Sequence, residues 1–395
     1  MDGQGGNDSL NVDDTGDTVA NNGVLTYNTL TGLGLTSGIN YVNLEALELS
    51  LGNGGNIFAV NSTVKRTDFR TQTVVNTGAG NDKVTVSLNA AIDGALAVNL
   101  QGGDDSLDAS ASSLGIIVFG GAGTDTLIGG SGADVLFGDQ GIVDYTNTAG
   151  VVVTRLGIDP SERSSVVTSR LFVPGKLTDG IFNEARCFAS RNPSVGGNDI
   201  ILGGAGNDVV LGGAGNDLLQ GNDGNDVLIG DMGVYTESTN TVVLTDLTIG
   251  GDDTMLGGLG DDRLWGGPGN DVMLGGLGQV ICSLNPDGTV RTDVLLLVQA
   301  IIADSMALEG TAVPVTSLAN INALLNTDLT VLTSSYNADG SKRLNADGSW
   351  NTKALLLNLV IEGKDLINEG KDIFYGGDGN DSLFGQRGVL IKKRL

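Results

Sequence analysis

The sequence predicts an all-β protein, a right-handed parallel β-helix solenoid built from short repeats, and three observations carry that expectation. A nonapeptide, Gly-Gly-x-Gly-x-Asp-x-U-x with U large and apolar, stands at GGAGTDTLI (120–128) and GGSGADVLF (129–137), then at GGAGNDVVL (203–211), GGAGNDLLQ (212–220) and GNDGNDVLI (221–229). It returns at GGLGDDRLW (257–265), GGPGNDVML (266–274) and GGDGNDSLF (376–384), and inside each array the spacing is strictly nine residues. Glycine supplies 63 of 395 residues and aromatic residues only 4%. A conventional core through the whole chain is therefore not expected, whereas a solenoid grows in one dimension and needs none.

Each unit has a readable physics. Glycines at the first, second and fourth places let the backbone take positive φ and bring its carbonyls inward. The sixth-place Asp adds a carboxylate to those oxygens, and the last three residues form a short strand whose U side chain points into the coil. Two units make one turn, so an Asp meets the Asp 18 residues on at one strand spacing, ~4.8 Å. Two carboxylates that close repel by ~3–4 kcal/mol at an effective dielectric of about 20, and a cation between them reverses the sign. Oxygen donors with no imidazole or thiolate nearby suit Ca²⁺.

The candidate metal ligands are then Asp125, Asp134, Asp199, Asp208, Asp217, Asp226, Asp253, Asp262, Asp271, Asp372 and Asp381. With them go the turn glycines Gly121, Gly123, Gly204, Gly206, Gly213, Gly215, Gly224, Gly258, Gly260, Gly267, Gly269, Gly377 and Gly379. The count of 18 pairs Asp199 with Asp217, Asp208 with Asp226 and Asp253 with Asp271. If a block-ending unit fills one half-turn, Asp226 also faces Asp253.

These nonapeptides resemble the RTX, or hemolysin-type calcium-binding, repeats of type I-secreted bacterial proteins. The resemblance implies a parallel β-roll with several Ca²⁺ ions between stacked turns, and export by an apparatus that reads an uncleaved C-terminal signal. The tail GVLIKKRL does not look like such a signal, and MDGQGGNDSL is no cleavable leader. Both ends fall in repeat-like sequence, so the expectation is a fragment of a larger secreted, extracellular and surface-attached protein. The motif marks a structural module and leaves the activity of the whole protein open.

In chain order, residues 1–114 carry weaker copies: GQGGNDSLN (3–11) followed by VDDTGDTVA (12–20), then TGAGNDKVT (77–85) and QGGDDSLD, with Asp8, Asp17, Asp82 and Asp105. Segments such as LEALELSL and ALAVNLQ alternate like strands between them. They read as degenerate β-helix coils, longer and metal-poor, with a separate β-sandwich as the alternative. Block one (115–143) ends in GDQGIV, block two (194–235) in GDMGVY, block three (248–281) in GGLGQV, and block four with the tail (367–395) contains GQRGVL. Each ending is a G-x-x-G turn whose sixth place is apolar or aromatic, Val143, Tyr235, Val280 or Leu390, and marks where the chain leaves the coil. The excursions 144–193 and 236–247, rich in Val and Thr, read as β-hairpins or added strands. In 282–366 the stretches 293–308 and 317–332 have helical length and propensity, and ALLLNLVI (354–361) is apolar. That segment reads as a small α/β insertion, or as an exposed apolar face for a partner.

The formal charge of −26, from 21 basic and 47 acidic residues, argues against nucleic acid or an anionic membrane as partner. The longest apolar run, 294–303, is too short for a membrane span. Cys187 and Cys282 give no disulfide framework, either as two free thiols or as one pair. The chain has no histidine, which excludes His-based zinc proteases, Ser-His-Asp hydrolases and His-dependent epimerases. Neither G-x-S-x-G nor G-x-x-x-x-G-K-[ST] occurs. Carboxylates abound, so a two-carboxylate glycosidase stays open by composition alone.

The leading expectation is a non-enzymatic, calcium-binding extracellular module, structural or adhesive, that folds on Ca²⁺ after secretion. A cell-surface, matrix-protein or glycan partner and end-to-end self-association through the coil ends go with it. The alternative is the secretion and folding module of a toxin or hydrolase whose catalytic domain lies outside this chain. A third reading puts a carbohydrate or protein receptor site on 282–366.

Overall fold

The computed structural model describes residues 1–6, 8–67, 71–146, 152–157, 186–275, 281–284, 290–296, 373–378, 382–384 and 391–392. Among these every element is a strand, and the strands wind alternately into an 11-stranded and a 12-stranded parallel sheet, the two walls of a β-roll. Thr126–Ile128 enters the larger sheet and Val135–Phe137 the smaller, and each later repeat follows the same alternation. Register is direct: Val210 lies beside Leu228, and Ile201 beside Leu219, one coil apart. The apolar U positions Leu127, Leu136, Ile201, Val210, Leu219, Leu228, Met255, Leu264 and Met273 form one buried column between the walls. Each is flanked by a turn that reverses the chain, so the alternating pattern of a strand shrinks to one inward residue per half-turn.

Residues 1–114 stack on the repeats in the same two sheets. Ser9–Asp13, Ala46–Ser50, Gln72–Asn76 and Ala95–Asn99 lead in parallel to Ile117–Phe119. Asn22–Leu25, Ile57–Val60, Lys83–Val86 and Ser106–Asp108 lead to Thr126–Ile128. No separate sandwich forms there. The larger sheet finishes with Thr29–Gly32 and Leu35–Asn40, both antiparallel, so a hairpin ribbon extends that wall past the outer coil, while Ser9–Asp13 is the edge strand of the smaller wall.

The first two excursions join. Gly141–Thr146, Val152–Leu156 and Arg186–Ser190 from one, with Gly233–Thr236 and Thr241–Leu244 from the other, make a five-stranded antiparallel sheet. Ala189 pairs with Val234 at the seam. This sheet lies on the outer face of the smaller wall, where Val143, Leu156, Phe188 and Tyr235 pack on Phe119, Phe137, Leu211 and Ile229. Phe119 and Phe137 stack at 4.9 Å, and Phe188 and Tyr235 at 5.8 Å. Val143 and Tyr235 are the residues that replace Asp at the sixth place of their block endings. Their role is now plain: they anchor the excursion sheet to the wall.

The third excursion begins with Ile281–Leu284 antiparallel to Val290–Leu296. The helix expected from residue 293 therefore does not start there, because Val290, Thr292 and Val294 favour a strand and a partner strand takes up its backbone bonds. The rest of 282–366, including 317–332 and 354–361, lies outside the described residues.

Candidate metal centre

The turns at each edge of the roll stack their sixth-place residues into a column. Along the edge that feeds the larger sheet, backbone N–H groups donate to the carboxylate Oδ1 one coil on. Asp105 donates to Asp125 at 2.8 Å, Asp125 to Asp199 at 2.7 Å, Asp199 to Asp217 at 2.8 Å, Asp217 to Asp253 at 2.9 Å and Asp253 to Asp271 at 3.0 Å. Along the other edge Ile116 donates to Asp134 at 2.7 Å, Asp134 to Asp208 at 2.7 Å, Asp208 to Asp226 at 2.8 Å and Asp226 to Asp262 at 2.9 Å.

One oxygen of each carboxylate is thus committed to the coil. At Asp134 the other accepts the Gly130 N–H at 2.8 Å, but Oδ2 of Asp105, Asp125, Asp199, Asp208, Asp217, Asp226 and Asp253 is buried without a hydrogen-bond partner. An ionised oxygen in that state is costly unless a proton or cation meets it. Burial first, and neighbouring carboxylates second, push Asp199 up to about 9 and Asp208 to about 8. Burial likewise lifts Asp125 and Asp226 to about 7, and it raises Asp217 and Asp253 well above the ordinary range.

The glycines complete the cradle. A Cβ on Gly212 would overlap the Asp217 carboxylate, and one on Gly215 would strike the carbonyl of Gly197 in the neighbouring coil. The second- and fourth-place glycines Gly121, Gly123, Gly204, Gly206, Gly213, Gly215, Gly224, Gly258, Gly260, Gly267, Gly269 and Gly377 all hold positive φ, as the turn requires. Asp372, Asp381 and Gly379 lie outside the described residues. Among the described residues no three His, Cys, Asp or Glu side chains converge on one point. A cation here would draw on the aspartates together with turn carbonyls, an all-oxygen set that fits a hard ion such as Ca²⁺.

A family model, the RTX calcium-binding nonapeptide repeat in four copies, matches residues 117–142, 195–228, 203–235, 248–280 and 368–389. The chain carries RTX calcium-binding repeats. RTX nonapeptide repeats are calcium-binding, in keeping with the donor set of these turns. A search of curated proteins found no match to the chain.

The RTX turns stack as counted for Asp199 with Asp217, Asp208 with Asp226, and Asp253 with Asp271. The expected meeting of Asp226 with Asp253 does not occur. Asp226 is followed by Asp262, and Asp253 follows Asp217. The reason is that excursions are inserted inside a turn, not after a half-turn. Gly138 packs against Asp199 and Gly230 against Asp253, just as Gly212 packs against Asp217. The first glycine of each split turn comes from before the excursion and its Asp from after it.

Four buried acids stand outside the eleven aspartates taken as candidate ligands. Asp139 and Asp231 occupy the second place of the split turns, in GDQG and GDMG; that Asp was visible, but those endings were read only for their sixth place. Burial and Asp199 push Asp139 up to about 8; burial, with Asp271 and Asp217, pushes Asp231 to about 9. Asp82 and Asp105 extend the first RTX column beyond the matched repeats: Asn56 N–H donates to Asp82 at 2.5 Å and Asp82 N–H to Asp105 at 2.6 Å. Both stand in the weaker copies read as metal-poor; their coils, 23 and 20 residues long, fall outside the 18-residue count that pairs the others.

Proposed function

We propose that this chain is a calcium-dependent, non-catalytic extracellular module, structural or adhesive, that folds when it meets Ca²⁺ after export. The observation that carries the reading is the double column of buried aspartates, each with one oxygen accepting an N–H of the preceding coil and, at Asp125, Asp199, Asp208, Asp217, Asp226 and Asp253, the other lacking a partner. Cation occupancy would turn those repulsive columns into the cement between coils, and a Ca²⁺-poor cytoplasm would leave them open. The acidic sequence, −26 in formal charge, adds to the repulsion that calcium must neutralise. The absence of histidine from the chain supports the non-catalytic assignment.

Adhesion in this reading engages a cell-surface, matrix or glycan partner. A cleft of about 250 Å³ between the five-stranded sheet and the second aspartate column, lined in part by Arg186, Tyr235 and Arg263, offers such a partner a polar surface. Circular dichroism of the full chain tests the folding claim. The expected result is a loss of β signal from the RTX arrays in chelator and its recovery at ~10⁻⁴–10⁻³ M Ca²⁺, the range of extracellular modules. Identical spectra with and without the ion would refute it.

A further inference from the structure

The two split turns are built alike and end differently. In each, one oxygen of the second-place Asp clamps the returning strand: Gly197 N–H donates to Asp139 Oδ1 at 3.2 Å, and Gly251 N–H to Asp231 Oδ1 at 2.8 Å. Their own N–H groups also donate alike, Asp139 to the Gly212 carbonyl and Asp231 to the Gly266 carbonyl, both at 3.2 Å. The difference lies one coil on, at the third place of the following repeat. There Ala214, in GGAGNDLLQ, donates its N–H to Asp139 Oδ2 at 2.5 Å. The residue in the same place next to Asp231 is Pro268, in GGPGNDVML, and proline has no N–H to give.

Asp231 Oδ2 is accordingly buried with no hydrogen-bond partner, in a residue 0% exposed. The pocket is close-fitting, since a Cβ on Gly250 or on Gly267 would overlap this carboxylate. Asp271, Asp217 and Asp253 all act on it electrostatically, so the pocket already carries an excess of negative charge. A buried carboxylate oxygen in that setting takes either a proton or a cation.

We propose that Asp231 is an additional ligand to a divalent cation of the Ca²⁺ type, held in the split turn that joins Gly230–Asp231 to Gly250–Asp253, whereas Asp139 is a hydrogen-bond clip that touches no ion. The proposal rests on the reading of the RTX turns as cation sites and adds a side chain outside the sixth place of the repeat. Pro268 decides between the two roles by withholding one N–H. Because Asp231 precedes the second excursion and Asp253 follows it, the ion also fastens that excursion at its root.

Calorimetric Ca²⁺ titration of the full chain tests this, with wild type beside D231N, D139N and P268A. Asparagine keeps the shape and the Oδ1 acceptor but removes the charge, as a protonated Asp231 would. Loss of a ligand should weaken one ion at least as much as loss of an outer-shell partner, about 10–100-fold, in D231N, while D139N stays within about twofold of wild type. P268A keeps Asp231 and restores the N–H, so it should weaken the same ion while the chain still folds in saturating Ca²⁺. If D231N fails to fold, P268A alone decides. A P268A titration indistinguishable from wild type overturns the proposal and makes Asp231 a protonated acid, as does a folded D231N that titrates like wild type. A wild-type chain that takes up no Ca²⁺ would instead refute the cation reading of the repeats themselves, a separate outcome.

Discussion

Between the two walls, a half-turn of residues 1–114 buries two apolar side chains, Leu47 with Leu49 or Leu96 with Val98, where a half-turn of the arrays buries one, Leu219 or Leu228. Strand length is not the cause, since Leu218–Asp223, with 6 residues, buries only Leu219 in that column, whereas Ala46–Ser50 and Ala95–Asn99, with 5, bury two. At ~1.5–3 kcal/mol per buried Val or Leu, each array half-turn forgoes about one such contribution. Buried acids are treated differently as well. Glu45, in the first region, is ion-paired to Arg66, and both oxygens of Asp93 accept backbone N–H groups, from Thr63 at 2.9 Å and Asn89 at 2.7 Å. Asp208, Asp217, Asp226 and Asp253 in the arrays each leave one oxygen without a partner. Away from the roll edge, the first region supplies partners for its buried acids and a fuller apolar core. Its edge acids Asp82 and Asp105 share the open oxygen of the arrays, where most of the charge is left to an ion from solution.

The comparison breaks or sharpens in four experiments. The largest effect is expected from chelation. EDTA should strip amide-exchange protection from Val209–Leu211 and Leu218–Asp223 while Ala46–Ser50 and Gln72–Asn76 retain theirs. Loss of both regions together would mean that the core of 1–114 depends on the arrays.

The next effect is pH in the absence of metal. The array carboxyls are raised in the folded state, so their protonation favours folding. Stability should be least above pH about 9, return as pH falls through the values of Asp199 (about 9), Asp208 (about 8) and Asp125 (about 7), and be complete below the unfolded value of 3.8. With calcium present the trend should reverse, because protons then compete with the ion. Circular dichroism against pH, in chelator and in calcium, reads both signs; parallel curves would contradict the column of shared carboxylates.

Arg66→Ala comes third. It leaves Glu45 as a buried, uncompensated charge and should cost about 3–5 kcal/mol, confined to residues 1–114 and insensitive to calcium. A calcium-dependent loss would place Glu45 among the metal-binding acids. The smallest effect, Asp217→Asn, is the most diagnostic because its sign changes. In chelator it spares the fold from burying that charge or taking up a proton and should stabilise the chain by about 1–3 kcal/mol, whereas in calcium it should destabilise it by removing a ligand. Thermal melts in the two media decide this, and one sign in both would count against cation binding there.

Much of this was legible in the sequence because period and polarity agreed at every copy. The U positions fell in the column that joins Leu127 to Met273, and the acids fell at the roll edges. What escaped was whatever depends on how distant segments meet. Nothing in GVVVTRL or TVVLTDL says that two excursions from different blocks form one sheet; that follows from their leaving the same edge two coils apart, so that Arg186–Ser190 comes beside Gly233–Thr236. Spacing also does not distinguish an insertion within a turn from one after it, and the Asp226 pairing failed on that point alone. Strand propensity in VRTDVLL was outweighed in the reading by the long apolar run that follows it.

The split turns have one more consequence, for what the edge of the roll can carry. Where Gly138–Asp139 leaves and Gly196–Asp199 returns, and where Gly230–Asp231 leaves and Gly250–Asp253 returns, the coil closes as though nothing intervened, with the rungs Asp125 to Asp199 and Asp217 to Asp253, at 2.7 and 2.9 Å, within the range of the uninterrupted ones. The chain between those points is a guest whose length enters the host's stability only through loop closure, about 0.6 kcal/mol for each doubling. The edge therefore works as a set of ports: segments of different size and chemistry can be exchanged at residues 140–195 or 232–249, provided that they keep an anchor such as Val143 or Tyr235, without shifting the register of a single coil beyond them.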